Sequence, residues 1–166
     1  MNIAIFVVVL VGFAAFSCVL AAIDVRTHRL PNRIVLPAYP VLVALLMLSC
    51  VAGAPWSAVL RALLCGAVLF GFYAVLRALP GAGMGGGDVK LAGVVGIILG
   101  FLGWVPFVVG AAAAFFLGGV FALVMLALRR VTGATRIPFG PFLLGGAWCG
   151  IALGITSYVQ TGGVTT

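Results

Sequence analysis

Residues 2–29 read NIAIFVVVLVGFAAFSCVLAAIDVRTHR. Residues 2–23 form an unbroken apolar run, and a helix needs about 20 such residues to cross the hydrocarbon of a bilayer. No charge precedes the run; Asp24, Arg26, His28 and Arg29 follow it. A cleaved signal peptide has the opposite order, a basic start and a shorter apolar core. The stretch therefore predicts an uncleaved first membrane span that ends in a short basic loop. Pro31 biases Leu30 away from helix, so the first helix is expected to stop before it. Asn32 can cap or begin the turn into the next element.

The rest of the 166-residue chain has the same character. Hydrophobic residues make up 65% of it and charged residues 7%, more apolar surface than a water-soluble domain can hide. The expected fold class is all-α: a polytopic membrane helical bundle of about six transmembrane helices in a lipid bilayer, one domain over 1–166. Further spans are expected at 34–52, 56–79, 89–102, 105–128 and 137–159. Gly53-Ala54-Pro55 and Pro80 break the pattern between them. Gly96 and Gly100 stand four apart, as do Gly110, Ala114 and Gly118, and Gly146, Gly150 and Gly154; such steps let helices approach closely in lipid. Trp56 suits an interfacial anchor. Arg61, a turn inside the third span, is expected to snorkel to the outer face, or else to line the bundle.

Charge sets the orientation. The net charge of +7 is what the cytoplasmic loops of a membrane protein supply, and does not indicate a nucleic-acid partner. Arg26, Arg29 and Arg33 follow the first span, Arg77 and Lys90 flank the loop after the third, and Arg129, Arg130 and Arg136 follow the fifth. The loops after the second and fourth spans, and both ends, hold no Lys or Arg. This alternation predicts both termini outside, and it puts Asp24 and Asp88 on one boundary, the cytoplasmic one.

These two are the chain's only acids. An acid in or near lipid costs a few kcal/mol, about 2.5–3.5 on insertion scales, and usually has a partner or a task. Asp24 could pair with a loop arginine, and Asp88, after a glycine run, could cap a helix. Neither role explains why the two acids share a face, each beside a span end. Two carboxylates brought close do not both ionise readily, so they share a proton. One then acts as base toward water, and the other as acid toward a peptide carbonyl and later the leaving amine. Asp24 and Asp88 are read as the catalytic pair of an intramembrane-type aspartic protease. Gly85 and Gly87 would let an extended peptide approach closely.

No rival set stands out. His28 is the only histidine, read as a loop residue, and Cys18, Cys50, Cys65 and Cys149 form no C-x-x-C pair, so no zinc site, no other metal and no cofactor is expected. The cysteines read as small buried hydrophobes. The glycine loop lacks the G-x-x-x-x-G-K-[ST] pattern, and its acid would repel phosphate. A small ion or proton translocator is the alternative from another class, but relay acids belong near the bilayer midplane.

Gly85-Gly86-Gly87-Asp88 is a G-x-G-D motif, and 85–91, GGGDVKL, closely resembles type IV prepilin peptidases. Asp24 with Leu30-Pro31-Asn32 resembles the first aspartate region of that family, and 137–142, IPFGPF, resembles the segment that opens its last helix. The resemblance covers nearly the whole chain, in the family's order. It implies a bacterial inner-membrane endopeptidase. Such an enzyme cuts the basic leader of a prepilin or pseudopilin at the cytoplasmic border of the substrate's hydrophobic helix, with Asp24 and Asp88 as the catalytic aspartates. A presenilin-like protease shares the G-x-G-D logic, but the boundary position and the Pro-Asn element favour the leader peptidase. Larger members carry a methyltransferase domain with paired C-x-x-C motifs. Here no such pair exists and nothing precedes the first span, so the short protease-only form is expected, of the kind paired with Flp-type pilins. Pro31, Asn32 and Lys90 are expected to shape the site, Lys90 by tuning the acid or by reaching headgroups. Pro138 and Gly140 are expected to shape a helix entry beside it.

Overall fold

The computed structural model describes residues 3–27, 30–79, 84–128 and 139–160. They form six helices: α1 (Ile3–Thr27), α2 (Asn32–Val51), α3 (Trp56–Ala78), α4 (Gly86–Leu102), α5 (Trp104–Ala127) and α6 (Gly140–Gln160). Four contain segments long and apolar enough to cross a membrane, Ala4–Thr27, Asn32–Val51, Trp56–Ala78 and Trp104–Met125, and α6 holds a shorter apolar helix, Gly140–Thr156. The all-α membrane bundle expected from composition is the fold observed.

The bundle is built around α4. From Asp88 to Phe101 every residue except Lys90 is buried, as a helix apolar on all sides must be. Its 17 residues reach only about 25 Å at 1.5 Å per residue, and protein rather than lipid surrounds them. The most extensive interfaces are α3 on α4 and α5 on α6. Both are seams of small residues. A Cβ added at Gly96 would lie 2.6 Å from the Cys65 carbonyl oxygen, and one at Gly146 would lie 2.5 Å from the Gly110 oxygen. The four-residue steps therefore set the helix spacing. Tyr39 ties α2 to α4 by donating from its hydroxyl to the Lys90 carbonyl at 2.6 Å. Trp148 on α6 donates from Nε1 to Ser17 Oγ on α1 at 3.4 Å.

Two connections are tight. Gly53, at φ +102°, turns the chain between α2 and α3, and Gly103, at φ +149°, separates α4 from α5. Helix bounds shift where it matters. α1 runs beyond the apolar run 2–23 to Thr27 and stops before Leu30, as expected, and α4 begins at Gly86 rather than 89, so both acids lie inside helices. Asn32 is the first residue of α2, not its cap; the cap position belongs to Pro31.

Two other expectations change. Arg61 does not snorkel outward. Its Nε donates to the Gly100 carbonyl at 2.7 Å and its Nη2 to the Phe101 carbonyl at 3.1 Å. The last carbonyls of a helix lack partners within it and carry partial negative charge, so a guanidinium is well placed there. Of the cysteines, Cys50 and Cys65 are buried, but Cys18 and Cys149 are exposed. His28, Arg29, Pro80, Arg129, Arg130, Arg136, Pro138 and both chain ends lie outside the described residues.

Candidate active site

One end of the bundle gathers the end of α1, the start of α2, the end of α3 and the starts of α4 and α6. Leu30 packs against Gly87, and the Arg77 guanidinium lies beside Gly86. Lys90 Nζ donates to Asn32 Oδ1 at 2.8 Å, tying α4 to α2. Arg26, Arg33 and Arg77 are exposed at this end; Arg61 belongs to the other.

Both acids lie here and both are buried, Asp24 at 3% and Asp88 at 6% exposure. Buried carboxylates need hydrogen bonds, and each acid has one from a helix N-terminus. Asp88 is in the first turn of α4, and its Oδ2 accepts the Gly85 N–H at 3.2 Å. This is the return half of a capping box, with Gly85 as the cap residue. The carboxylate of Asp88 therefore helps to start its own helix, and the cap role weighed for Asp88 falls to Gly85. Asp24 is served from far along the chain. Its Oδ2 accepts the Gly140 N–H at 3.1 Å, at the start of α6, where the helix dipole favours a negative charge.

The acids act on each other. Asp88 precedes the apolar stretch 89–102, at the polar end of the bundle. Burial and then the charge of Asp24 push its carboxyl above the ordinary carboxylate range, while the Gly85 N–H pulls it down. Like charges that close are expected to share a proton.

The glycines have local reasons. A Cβ on Gly87 would sit 2.5 Å from Leu30 Cβ and 3.2 Å from the Leu30 backbone. The clearance at Gly87 thus admits the α1–α2 connection. A Cβ on Gly85 would lie 3.1 Å from Asp88 Oδ2, so its bareness gives room to the acid. Pro31 holds extended backbone before α2, and its carbonyl accepts the N–H groups of Ile34 and Val35 at 3.1 and 3.2 Å. That fixed start positions Leu30 over Gly87. Asp24, Asp88, Gly85, Gly87, Lys90, Pro31 and Asn32 are all brought to this one end.

Two residues gain roles that the sequence hid. The sequence alone suggests that Gly140 shapes a helix entry; its bond to Asp24 links positions 116 apart, which no local pattern signals. Tyr73 is fully buried. Its ring stands 5.4 Å from that of Phe115 and 5.8 Å from that of Phe139, and it lies within reach of the Asp88 charge. In sequence it is one more aromatic in a span. Among the described residues no three His, Cys, Asp or Glu side chains cluster as metal ligands.

Residues 11–128 match the model of the type IV leader peptidase family. The chain is 31% identical over 141 residues to the prepilin leader peptidase/N-methyltransferase of Bacillus subtilis (strain 168), covering 82% of this chain and 52% of that protein. It is 29% identical over 148 residues to the protein of the same description from Stutzerimonas stutzeri, covering 85% and 49%. The chain spans about half the length of the curated relatives it matches. No solved structure matches it.

Proposed function

Because the chain belongs to the type IV leader peptidase family, we propose that it is a prepilin leader peptidase of the aspartic type. It hydrolyses the bond between the basic leader and the hydrophobic helix of a prepilin or pseudopilin, with Flp-type pilins the first to try. The observation that carries this reading is the pair Asp24 and Asp88: the chain's only acids, both buried, close enough for one to act on the other.

The two helix N-termini divide the work. Asp24, facing the start of α6, is the ionised base and takes a proton from water. The resulting hydroxide adds to the scissile carbonyl carbon while Asp88, kept protonated by burial and by its neighbour, gives its proton to the carbonyl oxygen. On collapse, the proton held by Asp24 passes to the leaving amine and the diol proton returns to Asp88. No covalent intermediate forms.

Arg26, Arg33, Arg77 and Lys90 gather at the acid end, which supports a cytoplasmic active site in the bacterial inner membrane, with both termini outside. That end is also where a basic leader meets the bilayer surface. A relay of ions would want its acids at mid-membrane; these sit at helix ends. The relatives' description also includes N-methyl transfer. The carboxylate pair bears on cleavage alone, and a pilin matured by this chain alone is expected to keep an unmethylated amine by mass spectrometry.

Co-expression with a prepilin tests the reading. Asp24→Asn and Asp88→Asn should each abolish leader removal while the protein still inserts. Normal processing by either variant would sink it.

A further inference from the structure

Among the described residues, Tyr73 is the largest fully buried side chain, and its hydroxyl has no hydrogen-bond partner among them. Leaving a buried hydroxyl unpaired is destabilising, and phenylalanine would fill the same space without that cost. The ring packs in one aromatic cluster with Phe115 of α5 and Phe139. Phe139 directly precedes Gly140, whose N–H holds Asp24. The charge of Asp88 acts on the Tyr73 hydroxyl, yet no hydrogen bond joins the two. The hydroxyl thus stands within reach of the Asp88 charge with its proton uncommitted, on a fully buried ring packed among aromatic side chains.

We propose that Tyr73 is a third catalytic group of this site: its hydroxyl donates a hydrogen bond to the carbonyl oxygen of the scissile peptide as that oxygen gains charge. The inference rests on the peptidase reading and adds to it. The two acids supply and accept the protons that move. The tyrosine proton stays on its oxygen and stabilises the tetrahedral intermediate, as donors aimed at a developing oxyanion do. A phenol suits this task because it remains protonated across the range in which a carboxylate pair holds one proton. The bond forms only with substrate present, so the binding energy is spent at the reaction centre.

Tyr73→Phe separates this from a packing role. The variant keeps the ring and removes an unpaired polar group, so its melting temperature in detergent should be unchanged or higher. Cleavage of a purified prepilin should lose about 10²-fold in kcat, with KM little changed, the size seen when one oxyanion donor is removed. A wild-type kcat in Tyr73→Phe, beside inactive Asp24→Asn and Asp88→Asn, would overturn the role of Tyr73 and leave the carboxylate pair standing. A kcat loss that tracks a lowered melting temperature would also overturn it, in favour of packing. Cleavage by either aspartate variant would remove both claims together.

Discussion

Gly140 and Asp24 stand 116 residues apart, and the N–H of the first donates to Oδ2 of the second at 3.1 Å. The contact leaves no room for a side chain, since a Cβ on Gly140 would fall 2.5 Å from that same oxygen. Gly140→Ala must therefore push the carboxylate aside. Misplacing a reacting group by about 1 Å can cost on the order of 10²-fold in rate, and a loss of that size in prepilin processing is expected. Gly119→Ala, with nothing within 4 Å, is the matched control and should process normally. Equal rates in the two variants would show that Asp24 needs no such support.

The small-residue seam makes a different prediction, on stability. At Gly96 the obstacles to a side chain are backbone atoms, the Cys65 oxygen at 2.6 Å and Gly66 Cα at 2.8 Å. Backbone cannot rotate out of the way, so Gly96→Ala should force α3 from α4. Overpacking of this kind costs about 1–3 kcal/mol, occasionally more. Gly71→Ala meets nothing within 4 Å and gains helix propensity. Thermal unfolding in detergent should rank Gly96→Ala well below wild type and Gly71→Ala at or above it.

Much of this was legible in the sequence, for physical reasons. Lipid forces apolar runs of spanning length, so the helices announced themselves, and the seams at Gly96 and Gly100 were visible because close approach admits only small residues. The acids stood out because the chain holds no others. What stayed hidden depended on distance along the chain. The partner of Asp24 is a backbone N–H on α6. Gly87 is bare for the sake of Leu30, which no local rule reveals. Arg61 looked like a snorkelling residue because its position in the span was readable, while the unpaired carbonyls of Gly100 and Phe101 beside it were not.

Those carbonyls make Arg61 a stability residue. Arg61→Met keeps the apolar stem and deletes two charge-assisted bonds to the end of α4. Bonds to charged groups are worth about 1.5–3 kcal/mol each, discounted here because the guanidinium is half-buried. Asp88 lies at the opposite end of that helix, roughly 20 Å away at 1.5 Å per residue. The variant should melt several degrees lower yet cleave prepilin at the wild-type rate at low temperature. A rate loss without a melting change would contradict the assignment.

The pH profile of cleavage tests the pair itself. On the proposed mechanism the site works with one shared proton. As pH falls through the first ionisation, both acids are protonated and no base remains. As pH rises through the second, both are ionised and no acid remains. Burial and the charge of Asp24 raise Asp88, so kcat/KM should follow a bell whose alkaline limb lies above the ordinary carboxylate range of about 4. The Gly85 N–H opposes that rise by stabilising the ionised form. Gly85 sits at φ −72° and ψ 145°, a conformation proline accepts. Gly85→Pro removes the N–H and should move the alkaline limb to higher pH. Gly85→Ala adds the same Cβ, 3.1 Å from Asp88 Oδ2, but keeps the N–H and should leave the limb near its wild-type position. An alkaline limb that shifts equally in both variants would assign the effect to crowding and not to the hydrogen bond.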